Sequence, residues 1–506
     1  MMPAKQAWLF TTFKKGIPIT LGWDKHMNRS VIQYILGYVL MIEGVLFVIP
    51  CLTALIYWEK EGFCYLGVAI FCLLVGRIMR YKKPNNDIFY LKEGCLTTAL
   101  SWIFLSFFGC LPFVFTGEIP FLPDALFETI SGFTTTGASI LSDVESLSHC
   151  SIMWRSFTHW IGGMGVLVFL LAIIPMSGGS HINLMRAESP GPSVGKLVPK
   201  VKATAQILYL IYFALTIIEF IFLLFGGMSV FDAINTSVAT AGTGGFGIYN
   251  DSLSSFSPYI QWVVTIFMIL FGINFNAYYF IIYKQLGKAF KMEEVKGYFI
   301  IIASATAIIF INILHSCASA FEALTHSAFQ VASIITTTGF STTDYDLWPE
   351  TSKTILVLLM FVGACAGSTG GGIKVSRFII MIKTVMKELR CYIHPKSIQK
   401  INIDGKPVPH EVVRSVNVYL ITFIALFVGS IFIISLDGKD LATNFTAVAA
   451  TLNNIGPGLN LVGPTQNFGI FSPLSKFVLM FDMLAGRLEL FPLLILFHPS
   501  VWKEGK

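Results

Sequence analysis

Four stretches decide the fold: PDALFETISGFTTTGAS at 123–139, FDAINTSVATAGTGGFG at 231–247, SAFQVASIITTTGFS at 327–341 and NFTAVAATLNNIGPG at 444–458. Each opens with a residue type that caps helices well: Asp124, Asp232, Ser327 or Asn444. Each then runs through small and apolar residues into a Thr- or Asn-rich stretch, and each reaches a glycine: Gly137, Gly244, Gly339 or Gly456. From the capping residue to that glycine the spacing is 13, 12, 12 and 12 residues. Matched spacing at four separate places marks an internal repeat. A block this short cannot span a bilayer. It reads as a re-entrant half-helix followed by an extended turn, a backbone form tolerated at membrane depth only where it is buried in protein or lines water.

The surrounding chain supports a membrane setting. Of its 506 residues, 54% are hydrophobic and 13% charged, with a mean hydropathy of +0.70. A soluble domain carries about a quarter charged residues. Ten apolar runs predict spans at 32–58, 63–79, 96–116, 152–176, 205–229, 259–283, 297–315, 352–385, 413–436 and 474–497. The first 30 residues are basic and polar, and the run that follows has membrane length, so no cleavable leader is expected. With the N-terminus placed inside, the outer segments hold only five of the 35 Lys and Arg, namely Lys60, Arg155, Lys353, Lys439 and Lys476. Lys374 and Arg487 fall at membrane depth, and the other 28 face inward. Both termini are therefore expected in the cytoplasm, and the acidic outer face would concentrate cations. The expected fold is an all-α polytopic membrane protein. It has four tandem helix, pore half-helix, helix repeats around a central pore, with an extra N-terminal helix pair. The divisions are 1–93 for the tail and extra pair, then repeats at 94–204, 205–296, 297–412 and 413–506.

The turns carry the chemistry. Threonine hydroxyls and backbone carbonyls from four turns around one axis make rings of oxygen that replace the hydration shell of a cation. Each half-helix also aims its negative C-terminal end at the axis. Span eight is different. FVGACAGSTGGGIKVSR at 361–377 holds glycines at 363, 367, 370, 371 and 372, too many for a continuous lipid-facing helix. It predicts a flexible break about halfway along the span, below the third turn, and a movable plug there.

Other patterns carry less. GTGGFG at 242–247 fits a dinucleotide fingerprint but follows no strand of a βαβ unit. GSTGGGIK at 367–374 lacks the lysine of a phosphate loop at its proper place, where Ile373 stands. His159 and Trp160 read as interfacial and packing residues. The nine cysteines have no CxxC pair and read as small apolar residues. No nucleophile with a base partner and no metal-ligand spacing is evident, so neither an enzyme nor a nucleic-acid-binding protein is expected.

Taken in order, the four blocks, GSTGGGIK at 367–374, MLAGRLEL at 483–490 and AESPGP at 187–192 resemble the Trk/Ktr/HKT superfamily of cation transporters, and most of all its bacterial TrkH branch. The resemblance implies potassium uptake across the bacterial inner membrane. It implies a K+ selectivity filter at Thr134, Thr135, Thr136 and Gly137; Ala241, Gly242, Thr243 and Gly244; Thr336, Thr337, Thr338 and Gly339; and Asn453, Asn454, Ile455 and Gly456. Glycine at all four ends goes with potassium preference, and serine in the first with sodium. The Asn-Asn-Ile-Gly of the fourth block makes the filter only approximately fourfold. The resemblance also implies a gate of Gly367, Ser368, Thr369, Gly370, Gly371, Gly372, Lys374 and Arg487, with Arg487 beneath the filter. Lys374 stays open between this barrier and a side chain snorkelling to the cytoplasm. The implied partners are a second copy of the chain and a cytoplasmic nucleotide-binding regulatory subunit of the TrkA type. The basic loops at 177–205, 284–297 and 386–412 suit such a partner or anionic membrane lipid equally. A K+/H+ or Na+-coupled symporter is the alternative, with Glu43, Glu219, Asp482 and Glu489 as intramembrane acids. Repeats that all run the same way favour the channel-like path.

Overall fold

Backbone polar groups inside a bilayer must be paired within their own segment or covered by protein. The computed structural model, which describes residues 27–84, 90–165, 201–395 and 399–502, meets this demand almost entirely with helices. The described residues open with α1 (Arg29–Leu46), which runs directly into α2 (Val48–Tyr57), and return through α3 (Gly62–Met79). This is the expected extra pair. It closes through glycines, as apolar helices in lipid do when only close packing can hold them. A Cβ on Gly76 would lie 2.6 Å from the carbonyl oxygen of Gly37, and one on Gly37 would lie 2.8 Å from that of Gly76.

The repeats follow in chain order. The first is α4 (Leu91–Thr116), α5 (Leu122–Phe133) and α6 (His149–Met164). The second is α7 (Val201–Phe225), α8 (Val230–Gly242) and α9 (Pro258–Phe271), continued by α10 (Phe275–Ile282). The third is α11 (Glu293–Ile313), α12 (Ala320–Ile335) and α13 (Glu350–Phe361), continued by α14 (Val375–Ile393). A two-stranded hairpin, β1 (Asn402–Ile403) with β2 (Lys406–Pro407), turns through Asp404 and Gly405 at positive φ. The fourth repeat is α15 (His410–Ile434), α16 (Leu441–Leu452) and α17 (Pro473–Arg487).

The repeat is thus a long helix, a half-helix and a closing helix, which is broken in the second, third and fourth repeats. The half-helices have 12, 13, 16 and 12 residues, about 18–24 Å at the helical rise and short of a 30 Å hydrocarbon core. Six helices among the described residues are long and apolar enough to cross a membrane, including the opening helix of every repeat. The closing helices of the second and fourth repeats differ from the uninterrupted spans expected, while that of the third breaks at the glycines that predicted it. Span 259–283 bends by 91° between α9 and α10. Span 352–385 is two helices, α13 and α14. Span 474–497 stops at Arg487, with Glu489 and Leu490 both at positive φ. The helix expected at 152–176 starts earlier, at His149, and α6 ends at Met164 before Gly165; its inner end, the AESPGP segment and most of the 177–205 loop lie outside the described residues.

The expected capping residues also shift. Ser229, Ser319 and Asp440 cap α8, α12 and α16 through their side chains, and extended Phe121 precedes α5. Asp124 and Asp232 sit in first turns, where they complement the helix dipole. Ser327 and Asn444 lie inside their helices. The reason is local: a cap needs extended backbone, which occurs only where the chain turns into the helix.

Replacing Gly76 with Leu should drive α1 and α3 apart and cost about 1–3 kcal/mol. Gly67→Leu on the same helix, with nothing within 4 Å of its added Cβ, should be neutral. Thermal melting in detergent separates them; equal midpoints for both variants would remove the close-packing account.

Candidate functional site

The four half-helices end alike. Thr135, Thr243, Thr337 and Asn454 take positive φ of 55°, 53°, 58° and 56°. The following residue returns a backbone hydrogen bond five residues back: Thr136 to Ser131, Gly244 to Ala239, Thr338 to Ser333 and Ile455 to Ala450. This is a Schellman cap built on threonine or asparagine instead of glycine. A left-handed non-glycine residue costs about 1–2 kcal/mol, so four of them at one site need the surrounding packing to hold them.

The cap sets the register, and the register corrects one expectation. Two residues past each left-handed position stand Gly137, Gly245, Gly339 and Gly456, with φ of 79°, 77°, 90° and 98°. In the second repeat the matching stretch is therefore Gly242–Gly245, one residue later than Ala241–Gly244. Ala241 belongs to α8 and is fully buried. The physical reason is the doubled glycine at 244–245: with the left-handed cap at Thr243, the second glycine takes the positive-φ place two residues on, and a Cβ on the first would meet the ring of His159.

The four turns close on one another. A Cβ on Gly137 would lie 2.1 Å from the Gly244 oxygen, on Gly245 1.9 Å from the Thr338 oxygen, on Gly339 2.1 Å from the Ile455 oxygen and on Gly456 2.7 Å from the Thr136 oxygen. Each glycine meets the carbonyl just before the glycine of the next turn, and the circuit returns to its start. Only glycine fits this approach. The four carbonyl groups belong to buried residues, and none accepts a hydrogen bond among the described residues. Buried carbonyls normally have a partner; a closed ring of four without one among the described residues has the chemistry that can replace a cation's hydration shell. The four glycines border a cavity of about 150 Å³, with Ser139, Asn250, Ser341 and Asn467 on its wall.

Two supports that the sequence did not signal hold the ring. His159 is buried between turns one and two. Its Nε2 accepts from the Phe246 amide at 3.2 Å, so Nδ1 carries the proton and donates to the Gly132 carbonyl at 2.8 Å. Glu128 accepts from Ile140 N at 3.0 Å, Ser139 Oγ at 3.0 Å and Arg155 Nε at 2.8 Å. Arg155 also donates to the Gly247 carbonyl at 3.3 Å and lies over the Phe246 ring. An isolated His or Arg in an apolar run reads as packing; only the fold aims both at the turns.

At the other end of the turns lies the glycine-rich break between α13 and α14. A Cβ on Gly370 would lie 3.0 Å from the Thr336 oxygen, and one on Gly371 2.9 Å from the Asn453 oxygen. The Gly371 amide donates to Thr337 Oγ1 at 2.6 Å. Gly372, at positive φ, packs on Gly363. Lys374 donates to the carbonyls of Gly370 and Gly371. It is buried and turned toward the loop, which decides between the two directions the sequence left open. Arg487 donates to the Thr369 carbonyl at 2.8 Å and to the carbonyls of Gly162 and Gly163, the latter at 2.7 Å. It spans from the break to the end of α6. Gly367 and Ser368 lie to one side: the Gly367 carbonyl accepts from Phe275 N, and Ser368 Oγ donates to the Cys365 carbonyl.

Known proteins show the same organisation. A profile described as TrkH, cation transport protein, matches residues 64–504. The chain belongs to this family. The Trk system potassium uptake protein TrkH of Escherichia coli strain K12 is 35% identical over 489 residues, covering 94% of this chain and all of that one. The TrkG protein of the same strain is 32% identical over 488 residues, again 94% of this chain and all of that one. The crystal structure of the potassium transporter TrkH from Vibrio parahaemolyticus superposes with a TM-score of 0.85 at 32% identity, covering 94% of this chain and all of that one. The chain is a helical membrane protein of this family.

The corrected register has a measurable consequence. Gly245→Ser should displace the Thr338 carbonyl and lower the K+/Na+ flux ratio about tenfold, equivalent to ~1.4 kcal/mol. Ala241→Ser, a small change inside α8, should leave the ratio as it was. Isotope uptake into proteoliposomes reads both, and the opposite ranking would restore the earlier register.

Proposed function

We propose that this protein carries out potassium ion uptake across the bacterial inner membrane, with both termini cytoplasmic, through a gated, channel-like pore. The observation that carries this reading is the closed circuit of four glycines and four unpartnered carbonyls. Thr134–Gly137, Gly242–Gly245, Thr336–Gly339 and Asn453–Gly456 form the selectivity filter, and K+ is the ion it holds. Glycine at all four ends suits potassium.

Below the filter, the 362–374 loop and the cations of Lys374 and Arg487 form the gate. Arg487 lies across the path from the loop to α6, where a fixed positive charge repels a passing cation. The protein works as a homodimer with a cytoplasmic nucleotide-binding subunit of the TrkA type. Of the four acids of the symport alternative, Asp482 accepts from Ser430 at 2.8 Å, Glu489 pairs with Arg377, and Glu43 and Glu219 are buried without a hydrogen-bond partner, so no hydrogen bond among the described residues joins one acid to another.

The test is flux through the purified protein alone in proteoliposomes, comparing K+ with Na+ at zero and imposed pH gradient. K+-selective flux indifferent to the gradient is expected, whereas flux that requires the gradient would move the reading to symport. Arg487→Ala should raise K+ flux about tenfold, since ~1.4 kcal/mol off a barrier gives that factor. Flux unchanged in this variant would remove Arg487 from the gate.

A further inference from the structure

Glu294 stands in the first turn of α11, only 6% exposed. Its Oε1 accepts from the Ala366 amide at 2.7 Å and from the Ser376 amide at 3.1 Å, and its Oε2 accepts from Asn274 Nδ2 at 3.3 Å. Ala366 and Ser376 bracket the glycine loop, and Asn274 lies in the bend between α9 and α10. One carboxylate therefore ties both ends of the loop and the neighbouring hinge to a long, uninterrupted helix. The second amide matters most. Ser376 is in the first turn of α14, and that helix has no side-chain cap of its own, because its N-cap is Lys374. The orphan amides of a helix start are satisfied by an acid, and a charged acceptor makes the stronger bond. Here the acid is supplied by another helix. The residue before it, Glu293, faces the cytoplasmic hairpin: it pairs with Lys383, accepts from the Asp404 amide at 3.2 Å and donates its own amide to Asp404 Oδ1 at 2.8 Å.

We infer that Glu294 is the latch of the gate, a positioning residue that caps α14 from α11 and holds the glycine loop in its closed form. This rests on the gating reading above. The inference is tested on the full chain with a native reporter, Cys365, a free thiol buried within the loop itself. Labelling by N-ethylmaleimide, followed by peptide mass mapping, gives the rate at which the loop opens. Glu294→Ala should raise the Cys365 labelling rate about fivefold, as expected when a local opening is made easier. It should raise K+ flux of the protein alone about threefold and keep the K+/Na+ ratio, because no filter contact changes. Glu294→Gln keeps an oxygen acceptor for both amides and should restore slow labelling, whereas Glu294→Met keeps the packing volume without an oxygen acceptor and should label as fast as the alanine variant, a split that a loss of packing would not show.

If the alanine variant does not fold, Glu294→Asp, one methylene too short to reach both amides, should move labelling in the same direction. Faster labelling without faster flux would support the latch while removing the loop from the gate. Wild-type labelling in an alanine or aspartate variant that melts like the wild type would overturn the latch.

Discussion

Everything in this structure answers to four buried carbonyl oxygens that have no hydrogen-bond partner among the described residues. Such groups are costly to bury, and the chain supplies them four times in one ring. The half-helices deliver them, each ending in a left-handed threonine or asparagine that turns the chain into its extended stretch. The glycines that follow let each turn come within van der Waals reach of the next, so the ring closes without a side chain in it. The long helices at the start of each repeat carry no part of this chemistry and set the distance from lipid.

The underside of the ring shows the same surplus of acceptors, met differently. There the carbonyls of Gly370, Gly371, Thr369, Gly162 and Gly163 take Lys374 and Arg487 as donors. Both cations are held by backbone oxygens, the ligands a transported ion would use. In the proposed gate the closed form is therefore stabilised by the chemistry that conduction requires, with fixed and mobile cations competing for the same kind of oxygen. Backbone-bound cations at this depth are tolerated because carbonyl dipoles replace the water they lose.

The ring is nearly fourfold and its base is not. Only the third repeat carries the glycine loop. In the fourth, Asn454 sends Nδ2 to Thr136 Oγ1 and to the Met483 carbonyl, both at 2.9 Å, and so ties the last turn to the first and to α17. Asparagine tolerates the left-handed backbone there better than a larger residue. The buried Arg155–Glu128 pair braces only turns one and two. The proposed single gate beneath the ring needs such asymmetry, since one loop must move while the four turns above it stay.

The amino-acid sequence by itself determined the repeat, the number of apolar segments, the glycine-rich break and the identity of most turn residues, because those are matters of composition, period and local backbone preference. It could not place the second glycine of the 244–245 pair: spacing counts residues, but which glycine completes the turn depends on where the left-handed cap falls, here Thr243. Nothing in it signalled that span 259–283 bends at Gly272–Asn274 or that the helix of 474–497 stops at Arg487, since apolar runs look continuous whether or not their backbone is. The direction of Lys374, the reach of Arg487 to Gly162 and Gly163, and the hold of Glu294 on Ala366 and Ser376 join residues far apart in the chain. Only tertiary packing decided them, because a buried charge takes whichever partners the fold brings within hydrogen-bond distance, and no local pattern records which those are.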